Sequence, residues 1–178
     1  MFSFQSKYIK HFYLKAVKQT IDCHHYTITR EDKVVFNVYS FTEMTIVELP
    51  DFTLRINRER RLFRKRDHHI YYHTTNEYFG TFDFPDWQRP GKDNCIIRFV
   101  DNSVYFFQED NSHRRLFKPK TWREYHFEMH NYDGDFITYS GSQSEGIIQA
   151  SSPSKLVPIA CGIFAIDESI RTFNESAG

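Results

Sequence analysis

Leu156-Val157-Pro158-Ile159-Ala160-Cys161-Gly162-Ile163-Phe164-Ala165-Ile166 is a run of eleven residues without one charged or strongly polar side chain, set in a chain that is otherwise polar. At about 100° per residue, the large side chains of Leu156, Val157, Ile159, Ile163, Phe164 and Ile166 cover an arc of roughly 200°. The remaining arc holds Pro158, Cys161, Gly162 and Ala165, small or compact but still apolar. A helix that is apolar all round is a buried helix. Eleven residues reach only about 16 Å, against a hydrocarbon layer of roughly 30 Å, so the run is read as a core helix and not a membrane span.

The flanks refine this reading. Pro158 is tolerated only near the first turn, which places the start at about Val157 with Ser154 or its neighbours as a loose cap. Gly162 costs about 1 kcal/mol relative to Ala in a helix interior, so a close approach by the surrounding wall is expected there. Asp167, Glu168, Arg171 and Thr172 interrupt the apolar surface while Ile170 and Phe173 continue one stripe. The helix, residues 156–173, is thus expected to emerge and become half exposed after Ile166.

Working outward, 178 residues make one domain, 1–178, with room for a good core. The 23 basic and 23 acidic residues cancel, which gives no global preference for nucleic acid or an anionic membrane and leaves local patches as the relevant feature. With 18 Phe and 11 Tyr the composition favours strands. Cys23, Cys95 and Cys161 are widely spaced and odd in number, neither a disulfide framework nor a CxxC site, and point to a reducing compartment. Met1–Lys7 lacks an apolar secretory core, and the expectation is a cytoplasmic protein, peripheral to a membrane if it meets one.

Residues 1–19 read equally as an N-terminal arm or a first strand. From Tyr26 to Ala150 short β-type runs follow one another at roughly ten-residue spacing. They are 34–39, 45–49, 53–57, 61–66, 70–73, 78–84, 95–100, 103–108, 114–118, 125–129, 136–140 and 146–150. Turns are expected at Glu31-Asp32-Lys33, Pro50-Asp51, Arg58-Glu59-Arg60, Asn111-Ser112 and Asp133-Gly134-Asp135, with a two-residue hairpin at Asp101-Asn102. A dozen such strands indicate an antiparallel barrel or sandwich. A closed sheet of that width is too wide for its own side chains to fill, and the one wholly apolar helix is the natural filling. A lipocalin-like open carrier would need that helix outside, and a pleckstrin-like domain needs fewer strands and an amphipathic helix.

With its apolar helix ending in Asp167-Glu168 behind a meander of short strands such as Tyr78-Phe79-Gly80-Thr81-Phe82, the chain resembles the tubby C-terminal-like superfamily. Tubby domains, phospholipid scramblases and LURP-one-related proteins are its members. The resemblance covers about residues 20–173 and implies a mainly β fold, a closed antiparallel barrel of about twelve strands around a buried hydrophobic C-terminal helix. Phosphoinositide binding through basic surface side chains is implied as in tubby domains, without a residue-by-residue match. The palmitoylatable cysteine cluster, the Pro-rich tail and the calcium-loop-like segment of scramblases are missing here, so scrambling does not carry over.

The densest charge feature is Arg55, Arg58, Arg60, Arg61, Arg64, Lys65 and Arg66, followed by His68 and His69. If 53–57 pairs with 61–66, several guanidinium forks converge at one barrel end, where they suit phosphate oxygens. The candidate anion or lipid-headgroup residues are Arg58, Arg60, Arg61, Arg64, Lys65, Arg66, Arg114 and Arg115, with Lys118, Lys120 and Arg123 extending the second stretch. A solvated, charge-balanced hairpin is the competing reading. Partners are therefore an anionic lipid or membrane surface, or a protein held by exposed Trp87 or Trp122. Nucleic acid ranks last.

No metal, cofactor or catalytic residue is expected. His126 and His130 on one strand would stand about 13 Å apart, too far to share an ion. His24-His25 and His68-His69 point to opposite faces, and Cys161 is a small buried hydrophobe. GxSxG, P-loop and GxGxxG motifs do not occur. Asp133-Gly134-Asp135 is a tight strand turn. The expected function is non-enzymatic binding.

Overall fold

The computed structural model describes residues 1–14, 19–58, 67–84, 95–109, 125–142 and 144–176. Twelve strands follow the chain: β1 Phe2–Leu14, β2 Gln19–Arg30, β3 Lys33–Ser40, β4 Met44–Glu48, β5 Thr53–Arg58, β6 Asp67–Tyr72, β7 Tyr78–Asp83, β8 Cys95–Phe99, β9 Val104–Glu109, β10 Tyr125–Asn131, β11 Phe136–Gly141 and β12 Glu145–Ala150. Each pairs antiparallel with its sequence neighbours, and β1 closes on β12 through Phe2↔Ile148 to Gln5↔Glu145. The result is a closed up-and-down barrel, the general architecture of tubby-like folds. The segment left open between arm and strand is β1, without which β12 would keep an unpaired edge.

Alternation along the strands sorts residues into wall and core. Ile28, Ile56, Ile70, Phe82, Ile97, Phe107, Met129 and Ile148 point inward and are completely buried. They surround α1, Leu156–Ser176, whose residues Pro158 to Glu168 form one unbroken buried run. Pro158 is the third helical residue, where its missing N–H has no intrahelical acceptor to lose. Ser154 contributes its backbone carbonyl to the Leu156 N–H at 3.0 Å. Gly162 lies directly under Tyr139: a Cβ there would fall inside the Tyr139 ring and hydroxyl, and that hydroxyl donates to the Ile159 carbonyl at 2.9 Å. Among the described residues no helix is long and apolar enough to cross a membrane.

Three expectations are corrected. The helix stays enclosed past Ile166, since Asp167 and Glu168 are only 2% and 3% exposed, and partial exposure begins at Ser169 and Arg171 with Ile170 still buried. The strand that pairs with β5 is β6, through Leu54↔Tyr72 to Arg58↔His68, and β4 occupies the other edge. Segment 61–66, expected as that partner, lies outside the described residues. The β8–β9 hairpin has a three-residue loop: the Asn102 N–H donates to the Phe99 carbonyl and the Phe99 N–H to the Ser103 carbonyl, both at 3.0 Å. Asn102 takes the left-handed conformation (φ 68°) that ends such a loop. The β2–β3 turn is tighter, with Glu31 and Asp32 both left-handed (φ 53° and 61°).

Candidate functional site

The up-and-down order fixes which connections share a barrel end. Helix α1 enters at the end that carries 31–32, 49–52, 73–77, 100–103, 132–135 and 151–155, here the proximal end. It runs toward the distal end, where β1, β3, β5, β7, β9 and β11 finish and their successors begin.

Just inside the distal end, α1 brings two adjacent carboxylates into the barrel. Asp167 accepts hydrogen bonds from the Tyr26 hydroxyl at 2.7 Å, the Ser40 hydroxyl at 2.5 Å, Arg58 Nη2 at 3.2 Å and Arg171 Nε at 2.8 Å. Glu168 accepts from Arg58 Nε at 2.9 Å and lies 3.6 Å from His68 Nε2. Arg58 is the hub. Its remaining N–H groups donate to the carbonyls of Phe41 and Met44 and to Ser40 Oγ, and its guanidinium sits 5.1 Å over the Phe164 ring. All five donors of the fork are thus engaged inside the protein. Arg58, expected in an anion site, has none left for a phosphate and acts as the clasp between β5, the β3–β4 turn and α1.

Burial alone would raise the Asp167 carboxyl. Arg171, Arg58 and the two hydroxyls outweigh it and hold the group below the ordinary carboxylate range. Burial and the same carboxylate push the Tyr26 hydroxyl well up. Burial likewise pushes the Cys161 and Cys95 thiols up, and Cys23 to about 11, which disfavours thiolate at each.

A second network closes the proximal end. Asp135 accepts from Lys155 Nζ at 2.5 Å, Ser152 Oγ at 2.7 Å, Asn131 Nδ2 at 2.9 Å and the Tyr105 hydroxyl at 3.1 Å. The bonds from Lys155 and Ser152 bring its carboxyl down to about 2. The Asp133-Gly134-Asp135 turn, with Gly134 at φ 86°, is therefore a clamp on the segment that leads into α1. Both carboxyls lie lower folded than the roughly 3.9 of an unfolded Asp. Each contributes stability that is fully present above the unfolded value and lost as pH falls through the folded one. Urea unfolding between about pH 5 and pH 2 should show Asp135→Asn starting less stable than wild type and converging on it, because the variant lacks this share. Parallel curves would reject the assignment.

Of the other basic candidates, Arg60, Arg61, Arg64, Lys65, Arg66, Arg114 and Arg115 lie outside the described residues, as do Lys118, Lys120, Arg123, Trp87 and Trp122. Their connections are nonetheless anchored. The chain leaves β5 at Arg58 and returns at Asp67, and it leaves β9 at Glu109 and returns at Tyr125, all at the distal end. The six distal connections, 15–18, 41–43, 59–66, 84–94, 110–124 and 142–144, carry fourteen Lys and Arg against six Asp and Glu. The six proximal connections carry seven acidic residues against Lys155 alone. The zero net charge is thus unevenly divided along the sequence between the two sets of connections.

His68 faces the core, while His25 stacks on Tyr39 at 4.6 Å and His130 on Phe106 at 5.5 Å on the outer wall. Among the described residues no three His, Cys, Asp or Glu converge as a metal site. A recess of about 560 Å³ lies on the outer wall among Ser3, Gln5, His126, Ser140 and Glu145. The internal network is what the sequence reading missed. Its available signal was an acidic pair framed by Ile166 and Ile170, with Arg171 one turn on from Asp167. Compared with known proteins, the chain matches no family model, no curated protein and no solved structure.

Proposed function

We propose that this chain is a non-enzymatic binding module of the tubby-like kind that docks peripherally on anionic lipid headgroups through the basic connections of its distal end. The observation that supports the reading is that the two connections carrying the basic stretches leave β5 and β9 and return to β6 and β10 at the same barrel end, while the connections at the other end carry mostly acidic residues. Arg60, Arg61, Arg64, Lys65 and Arg66 of one connection and Arg114 and Arg115 of another are the contact residues. Guanidinium forks match phosphate oxygens, and each basic residue near an anionic surface contributes about 1 kcal/mol. The barrel interior around α1 is filled by packed side chains, which favours an exposed site over an enclosed one.

Vesicle sedimentation tests this directly. The wild-type chain should sediment with phosphatidylcholine vesicles that contain phosphoinositide and stay in solution with phosphatidylcholine alone. Reversing Arg60, Arg61 and Arg64 to Glu should weaken binding by about a hundredfold or more, and added salt should weaken the wild type. Equal binding by both forms rejects the reading. Tighter binding to labelled DNA than to the vesicles would assign the same surface to nucleic acid.

A further inference from the structure

Strand β1 is longer than the wall it closes. Its pairing with β12 ends at Gln5↔Glu145, with one further bond from the Ser6 N–H to the Ser144 carbonyl at 2.6 Å. Its pairing with β2 continues to Leu14↔Gln19, while β2 leaves β3 at His24↔Ser40. Residues 7–14 and 19–23 therefore form a two-stranded ribbon beyond the distal rim. Among the described residues no strand continues along β1 past Ser144. Main-chain groups alternate along a strand, so those of Tyr8 and Lys10 face the same side as the Ser6 N–H, into the open edge.

The ribbon is braced. Asp22 accepts from the Tyr8 hydroxyl at 2.7 Å and from the His11 N–H at 2.9 Å. His11, left-handed at φ 56°, marks a bulge where the register shifts between Ile9 and Phe12. Phe12 packs 5.2 Å from Tyr39 and 6.1 Å from Phe41, beside buried Cys23 and Ile46. An edge held this way loses little freedom when another strand joins it.

We propose that β1 takes an additional strand along Lys7–Lys10, supplied by an extended acidic segment of a partner protein. Lys7 and Lys10 are exposed and project from opposite faces of the strand, with partly buried Ile9 and Tyr8 (54% exposed) between them. The complementary segment carries two acidic residues three apart around two apolar ones, and its backbone bonds Tyr8 and Lys10. A second copy would set lysine against lysine. The charges that discourage self-pairing at this edge select an acidic strand instead. Lys7 and Lys10 are not among the residues proposed for lipid.

The probe is fluorescein-labelled Gly-Thr-Glu-Val-Val-Glu-Thr-Gly, titrated by anisotropy with the full chain. Saturable binding is expected. Methylating the alternate peptide amides that face β1 should weaken it by about tenfold or more, and methylating the other alternate set should not. Lys7→Glu with Lys10→Glu should lose the acidic peptide by about tenfold and gain the one with Lys in place of Glu. No binding above the Lys-containing peptide, equal effects of the two methylated sets, or self-association that the peptide reverses would overturn the proposal, the last in favour of a second copy. The methylation arm uses wild-type protein, so it stands even if the variant fails to fold. The chain with Arg60, Arg61 and Arg64 reversed should keep the peptide, which separates this result from the lipid test.

Discussion

Replacing Arg58 with Met should destabilise the fold by about 3–5 kcal/mol, read as the free energy of urea unfolding followed by circular dichroism. The loss is not chiefly hydrophobic, since Met retains most of the stem over Phe164. It comes from leaving Asp167 and Glu168 inside the barrel with Arg58 gone, and from stranding the carbonyls of Phe41 and Met44 that the guanidinium satisfies. The exposed Arg98, changed to Met, should stay within about 0.5 kcal/mol of wild type. Adding Asp167→Asn and Glu168→Gln to Arg58→Met should recover part of the loss, because a buried network is costly chiefly when one charge outlives its partner. A cost below about 1 kcal/mol for Arg58→Met would mean that the clasp is ornamental.

Gly162→Ala should destabilise by about 1–3 kcal/mol, although helix propensity alone predicts a gain of about 1 kcal/mol. The added methyl lands on the Tyr139 hydroxyl and ring, which are fully buried and tied to the Ile159 carbonyl. Neither can yield without breaking that bond or leaving its rotamer. In a Tyr139→Leu background the obstruction is gone, and the same change should become neutral or stabilising. Two changes that simply add in the double-mutant cycle would show that Gly162 is not reserved for Tyr139.

That pair marks how far the sequence could be read. A glycine inside an apolar helix already signals close approach by a wall, because nothing else offsets its cost. Naming Tyr139 as the wall requires the barrel. The Asp167-Glu168 step went the other way: two charges after an apolar run suggested emergence into solvent, since burying carboxylates is expensive unless they are paired. Their partner Arg58 lies more than a hundred residues earlier, and local pattern carries no trace of such a pairing. The basic runs 61–66 and 114–118, expected as strands, lie outside the described residues. The twelve described strands include β1 and β2, from a part of the chain whose local pattern left strand and arm equally open, and β5 has β4 and β6 on its edges.

The chain's own letters determined the buried helix and the strands around it, because an apolar surface on all sides of one segment has to be enclosed and because periods of two and 3.6 are local properties. Tertiary structure alone decided which polar groups meet inside and which charges share an end. In an up-and-down barrel the end of a connection depends on whether an odd or even number of strands precedes it. The even number of strands between Arg58 and the connection after Glu109 ends β5 and β9, from which both basic stretches depart, at one rim. A sequence read without its closure cannot count them.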